Sequence, residues 1–158
     1  MTTLKVTLQS SISENDSHLM KITRARSLLK EVFPLTSEAF LTLVDEKIEL
    51  LDQFIFRFTK MQDSLGSRLI PSLYGLLEGQ GKATPFLDIL NKMEKMGFLT
   101  SVEVWQLFRN LRNNLAHDYP ESLGQTVNTL NVLYEDFSKF QDLYEKLRQE
   151  ATNRLNIL

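Results

Sequence analysis

The longest hydrophobic pattern in this chain lies between residues 40 and 65 and has the period of an α-helix. Apolar side chains recur there every three or four residues, which places them on one side of a helix. They are Phe40, Val44, Ile48, Leu51, Ile55, Phe58, Met61 and Leu65. A hydrophobic stripe of about seven turns needs a long partner surface to cover it.

The helix with this stripe can be capped by Thr36 or Ser37. Gly66 and Pro71 interrupt the pattern, so the helix should kink or restart near residue 70 and finish at Glu78, ahead of the loop GQGKATP. The loop differs from a phosphate-binding P-loop, because it lacks the first glycine, the Ser or Thr after the lysine, and a preceding strand. We therefore interpret it as an ordinary loop.

The first twelve residues are rich in Ser and Thr, and their alternating apolar residues have no second strand to pair with. We therefore predict a flexible N-terminal tail over residues 1–12. Capping boxes beginning at Ser11 or Ser13 then predict a first helix that ends at Pro34.

Three further helical segments follow the loop. They are a short helix at 86–96, a helix from Thr100 or Ser101 that ends before Pro120, and a last helix at about 121–156. Strand patterns are almost absent. Together, these helical segments predict an all-α fold, an up-and-down helical bundle of four to five main helices, with residues 13–158 as a single domain.

The composition limits the chemistry available to such a bundle. The 158 residues include no cysteine, which excludes disulfides, thiolate zinc sites and cysteine nucleophiles and is typical of a reducing cytoplasm. The net charge of -2 leaves no broad basic surface for a long nucleic acid, although a local site for one or two phosphates remains possible. Neither a signal sequence nor a run of roughly 18 apolar residues is present, so we expect a cytoplasmic protein that does not bind membranes.

No metal and no cofactor are predicted. His18 stands alone on the first helix, and no Glu-x-x-His pair of the kind found in bundle-core metal sites exists. Phe54, Phe56 and Phe58 could stack on bases, but aromatic residues at helical spacing are normally buried. Core packing is therefore the better interpretation of these aromatic residues.

Polar side chains are concentrated in LRNNLAHDYP, residues 111–120, at the end of the penultimate helix. At about 100° per residue, Arg112, Asn113 and His117 fall with Arg109 on the side turned away from the apolar residues of that helix. Because an arginine side chain can fold along the helix, one phosphate-sized anion could contact the first three of these residues together.

These residue types suit cleavage of RNA without a metal. An unperturbed imidazole titrates near neutrality, so His117 can act as a base on a ribose 2′-hydroxyl or as an acid on the leaving oxygen. Arg112 can stabilise charge on the phosphate with a bidentate contact, and Asn113 can orient groups by hydrogen bonding. One helix supplies few groups, so two copies related by a twofold axis would form a fuller cleft.

The same residues also have purely structural interpretations. Asn113 and Asn114 can loosen the helix end, His117 can interact with its dipole, and the arginines can be solvated. Tyr119 would then anchor the turn into the last helix. A plain structural bundle that dimerises through the Arg109/Asn113 face is a further possibility.

The stretch resembles a known family. The pattern R-N-x-x-x-H, formed by Arg112, Asn113 and His117 on the penultimate helix of an all-α bundle, resembles the signature of the HEPN superfamily. The Asp-Tyr pair that follows, ending in Tyr119, resembles the HEPN toxins that are paired with minimal nucleotidyltransferase antitoxins.

The resemblance implies a homodimer whose composite cleft, with Arg112, Asn113 and His117 of both chains, is a metal-independent endoribonuclease. It also implies that the nucleotidyltransferase modifies the Tyr119 hydroxyl with AMP and so silences the nuclease. The related nucleotidyltransferase substrate-binding proteins imply the alternative, a non-catalytic binding or regulatory partner of a nucleotidyltransferase.

Overall fold

The computed structural model describes residues 3–79, 81, 83–116 and 122–157. Within these ranges the chain is helical and has no strands, which confirms the predicted all-α bundle. The elements in chain order are α1 (Thr3–Leu28), α2 (Ser37–Leu41), α3 (Asp45–Ser64), a π-helical segment (Leu65–Leu69), α4 (Ile70–Glu78), α5 (Phe86–Lys95), α6 (Val102–Leu115) and α7 (Leu123–Ile157). No helix in the described part of the chain is long and apolar enough to cross a membrane.

The helix α1 runs antiparallel to α3 and to the π segment that continues it. At one end the Lys47 ammonium donates to the Leu28 carbonyl at 3.0 Å. At the other end Arg68 Nη2 donates to the Ser10 hydroxyl at 3.1 Å. The two contacts join opposite ends of the helices, so α1 forms part of the partner surface that the apolar stripe of α3 requires.

Aromatic side chains from α3, α6 and α7 form the centre of the core. Phe54 contacts Phe137 at a centroid distance of 5.9 Å and Phe58 contacts Phe140 at 5.3 Å, so α3 and α7 run in the same direction. Phe108 of α6 lies 6.0 Å from Phe58 and 5.0 Å from Phe140. All five rings are at most 1 % exposed, and their tilted or edge-on geometries are those that aromatic pairs favour.

The direction of α6 completes an arrangement in which successive long helices alternate in direction. Trp105 near its beginning lies against Gly66 of the π segment, whereas Arg112 near its end contacts Asp63 of α3. The helix α6 is therefore antiparallel to the α3 region. The four helices α1, α3, α6 and α7 alternate in direction along the chain, which is the up-and-down arrangement that the sequence predicts.

The apolar stripe predicted from residue 40 is divided in the structure. The helix α2 ends at Leu41, and α3 begins only at Asp45, after the extended residue Val44. Val44 is 62 % exposed and therefore lies outside the stripe. The Thr42 hydroxyl donates to the Glu38 carbonyl at 3.0 Å and so satisfies an acceptor at the end of α2.

The interruption predicted near residue 70 takes the form of a π-helical turn. The Ile70 N–H donates to the carbonyl of Leu65, five residues earlier, and α4 then continues to Glu78 as predicted. Pro71 accounts for the wider turn, because a proline has no N–H and its ring clashes with the carbonyl four residues before it. The additional residue in the turn lets the helical segment pass a proline.

The prediction of a flexible tail over residues 1–12 is wrong for the residues of it that the structure describes. The helix α1 begins at Thr3, and Leu8 is fully buried. The Leu4 side chain reaches α4, where its Cδ1 lies 2.9 Å from the position that a Cβ on Gly75 would occupy. Leu4 and Leu8 are four residues apart, a spacing that fits both an alternating strand and a helix, and α4 supplies the surface that selects the helix.

A buried amide joins α1 to α3. Asn15 is fully buried, and its Nδ2 donates to the Ser11 carbonyl at 2.8 Å and to the Ser64 hydroxyl at 3.0 Å. Its Oδ1 is buried and has no hydrogen-bond partner in the ranges that the structure describes. An amide in this position favours one register of the two helices, because sliding either helix would leave more of its polar atoms unpaired.

A buried histidine lies one turn further along α1. His18 is 8 % exposed, with Nδ1 3.3 Å from Arg57 Nη1 and Nε2 3.7 Å from Glu14 Oε1. Burial, together with the positive charges of Arg57 and Lys21 and against the opposing effect of Glu14, lowers the pKa of His18 below its ordinary value. The neutral imidazole can accept a hydrogen bond from Arg57 through Nδ1.

We expect Leu8→Ala to lower the free energy of unfolding by about 2–5 kcal/mol, because it leaves a cavity between packed helices. Val6→Ala is the matched control, since Val6 is 53 % exposed on the same turn, and should change stability by no more than about 0.5 kcal/mol. Urea denaturation followed by circular dichroism measures both. Equal, small effects of the two substitutions would indicate a tail rather than a packed helix.

We expect stability to decrease as the pH falls below 6.5, the ordinary pKa of a histidine, in part because the unfolded chain binds a proton at His18 more readily than the folded chain does. The stability that comes from a neutral His18 is present above this pH and is lost as the pH falls toward the lowered pKa of His18 in the folded state. Urea denaturation at a series of pH values should show a smaller loss for His18→Gln than for the wild type. Met20→Gln, at an exposed position of the same helix, should keep the wild-type dependence.

Candidate functional site

The penultimate helix, α6, holds most of the residues predicted to form a site. The Ser101 hydroxyl accepts from the Val104 N–H at 3.1 Å and caps the beginning of the helix, as predicted. Trp105, Phe108 and Leu111 form its buried side, and each is at most 6 % exposed. The helix therefore packs its aromatic side against the α3 region and α7.

The prediction that Arg112 shares the side turned away from the core is wrong. On the helical wheel Trp105 lies at about 120° from Leu111, so a fully buried Trp105 moves the centre of the buried side toward Arg112, at about 100°. Arg112 consequently lies at the edge of the helix that faces α3. Arg109 and Asn113 are exposed, as predicted.

The Arg112 guanidinium forms a bidentate ion pair across to α3. Its Nε donates to Asp63 Oδ1 at 2.8 Å and its Nη2 donates to Oδ2 at 2.9 Å. The two side chains are 26 % and 46 % exposed, so water still reaches them. The hydrogen bonds that Arg112 donates to Asp63 raise the pKa of Arg112, and the outer edge of the guanidinium, with Nη1, is the edge left for a further anion.

A groove of about 570 Å³ lies beside this ion pair. Small-molecule sites typically occupy about 300–1,000 Å³, so the groove is large enough for a ligand of the size of a nucleotide. Its polar wall is formed by Gln62 and Asp63 of α3 and by Arg109, Arg112 and Asn113 of α6.

The opposite wall of the groove is apolar and includes the π segment. Gly66 approaches α6 so closely that a Cβ on it would lie 3.1 Å from Trp105 Cζ2. Phe86 at the start of α5 lies against Trp105 at a centroid distance of 5.8 Å. Trp105 is 1 % exposed, and its indole Nε1 is buried without a hydrogen-bond partner among the described residues.

The structure brings together three of the five residues that the sequence analysis assigned to a site. Arg109, Arg112 and Asn113 all line the groove. His117 and Tyr119 lie outside the described residues, so their assigned roles as a catalytic group and as a modified hydroxyl stay predictions. The sequence analysis missed Asp63, Gln62, Phe86 and the groove contribution of Trp105, because only the packing of α3 and α5 against α6 brings these residues to one place.

The groove offers arginine, amide and aromatic groups to a ligand. In the residues that the structure describes, no group of three or more His, Asp or Glu side chains is placed to hold a metal ion. Comparisons with family models, with curated proteins and with solved structures found no match to this chain.

We expect the Asp63–Arg112 pair to contribute little to stability, because both side chains are partly exposed. A double-mutant cycle of Asp63→Asn and Arg112→Gln, measured by urea denaturation, should give a coupling energy of no more than about 1 kcal/mol. A coupling well above that value would mean that the pair holds the bundle together rather than leaving Arg112 available to a ligand.

Proposed function

We propose that this chain is a metal-independent endoribonuclease of the HEPN type, acting as the toxin of a toxin-antitoxin pair with a minimal nucleotidyltransferase. The observation that supports the proposal is the groove in which Arg109, Arg112 and Asn113 meet. These residues belong to the helix that precedes His117, and His117 follows Asn113 by four positions in the sequence. The groove residues and the residue proposed to transfer protons are therefore close together in the sequence.

In the proposed reaction His117 takes the proton of a ribose 2′-hydroxyl or delivers a proton to the leaving oxygen. The 2′-oxygen attacks phosphorus, the new 2′-O–P bond forms, and the P–O5′ bond breaks. The products are a 2′,3′-cyclic phosphate and a 5′-hydroxyl end. The outer edge of Arg112 stabilises the charge that develops on the phosphate oxygens, and Asn113 orients the phosphate by hydrogen bonding.

Two further proposals concern partners. Each chain supplies one set of these residues, so we propose a homodimer in which two sets face one cleft. We also propose that the nucleotidyltransferase transfers AMP from ATP to the Tyr119 hydroxyl in the cytoplasm, with release of pyrophosphate. A nucleotide attached two residues from His117 would repel the RNA phosphates and occupy the cleft.

The ion pair between Arg112 and Asp63 favours a second function. A guanidinium that already has a carboxylate partner stabilises a second anion less strongly than a free one. Under this alternative the chain is a non-catalytic binding or regulatory partner of a nucleotidyltransferase, and the groove face presents a substrate or a surface to that enzyme.

We expect His117→Ala to abolish cleavage of single-stranded RNA by the purified chain in a buffer that contains EDTA. Arg112→Gln should reduce the cleavage rate by about 10²–10³-fold, the usual effect of removing one group that stabilises transition-state charge. Arg24→Gln removes an exposed arginine from α1 and is the matched control, with wild-type activity expected. Gel analysis of end-labelled RNA measures all three rates.

Wild-type activity in His117→Ala would overturn the nuclease proposal. A complete lack of cleavage by the wild type, combined with co-purification of the nucleotidyltransferase with both wild type and His117→Ala, would instead support the non-catalytic alternative.

A further inference from the structure

We propose that the groove between α3, α5 and α6 binds one unpaired nucleotide, with its base against Phe86 and its phosphate against Arg109 and Arg112. The inference rests on the proposed function for the identification of the ligand as part of an RNA chain. It adds a location for base recognition inside a single chain, on the side of α6 that faces the π segment.

The apolar wall fits a planar ring. Phe86 is half-buried and Trp105 fully buried, and both line the groove. Phe86 is the aromatic side chain here that can stack on a base, at roughly 1–3 kcal/mol per base, because the Trp105 ring is too buried to present a face. Gly66 lines the same wall and lets the π segment pack against the Trp105 ring, because any side chain there would meet that ring.

An amide side chain in the lining fits the edge of a base. Gln62 is 5 % exposed and lines the groove with a side chain that can both donate and accept. The Trp105 N–H is too buried to contact a ligand, so Gln62 is the group that can pair with a base carbonyl or ring nitrogen.

The charge at the open side of the groove fits a phosphate. Arg109 and Arg112 line it together with one carboxylate, Asp63, so the lining has a net positive charge. Asp63 occupies the Nε and Nη2 edge of Arg112 and thereby holds the guanidinium in place. The outer edge of Arg112 and the exposed Arg109 side chain remain for the anion.

The chain contains a single tryptophan, so intrinsic tryptophan fluorescence reports on this groove alone. The experiment titrates UMP, AMP, ribose 5-phosphate and inorganic phosphate into the His117→Ala variant, which keeps the groove and prevents turnover. We expect a saturable change in Trp105 emission with a nucleotide, and at least tenfold weaker binding of ribose 5-phosphate, since it lacks the base. Isothermal titration calorimetry of the same samples confirms the order of affinities.

Three variants assign the binding to the proposed groups. Phe86→Leu should weaken nucleotide binding by about tenfold through the loss of aromatic contact, and Arg109→Gln should weaken it by a similar factor through the loss of a phosphate contact. Leu87→Ala is the matched control, because Leu87 is 51 % exposed on the same helix as Phe86 and does not line the groove. Circular dichroism confirms that each variant is folded.

Equal affinities for a nucleotide and for inorganic phosphate would overturn the base pocket, as would nucleotide binding that Phe86→Leu leaves unchanged. The failure of the proposed function has a different signature. Nucleotide binding with no RNA cleavage by the wild type would remove the nuclease and keep the base pocket, whereas cleavage without nucleotide binding in the groove would remove only the pocket.

Discussion

Three buried rings, Phe58 of α3, Phe108 of α6 and Phe140 of α7, fix how these helices are rotated about their own axes. Residues three and four positions from Phe108 share its side of the helix, so Trp105 and Arg112 also face α3. The composition of the groove follows from this packing. The core places an indole and a guanidinium at the same interhelical boundary, one buried and one at the rim.

The periodic part of the fold could be predicted from the sequence, and the parts that depend on distant partners could not. The helix after Ser101 and the end of α4 at Glu78 follow from local caps and spacing. The helical conformation of the first residues of α1 could not be predicted from local signals, because it depends on the contact of Leu4 with α4. The division of the stripe before Asp45 could not be predicted either, because the apolar period continues through Val44, where the structure is extended.

The site was predictable in its residue types and less so in its geometry. The polar pattern of α6 identified Arg109, Arg112 and Asn113, which do share a groove. The direction of Arg112 was predicted wrongly because the large buried ring of Trp105 rotates the core side of α6 toward Arg112. No pattern on α6 could indicate Asp63, since Asp63 lies on another helix, 49 positions before Arg112.

The contacts between the first and last helices have a consequence for synthesis of the protein. Arg26 bonds to the Tyr134 carbonyl across 108 residues of chain, and Asp16 pairs with Arg148 across 132. On the ribosome α1 therefore emerges long before the helix that completes its surroundings. Until α7 follows, the nascent chain has an incompletely covered apolar face, and the bundle closes only after α7 has left the exit tunnel.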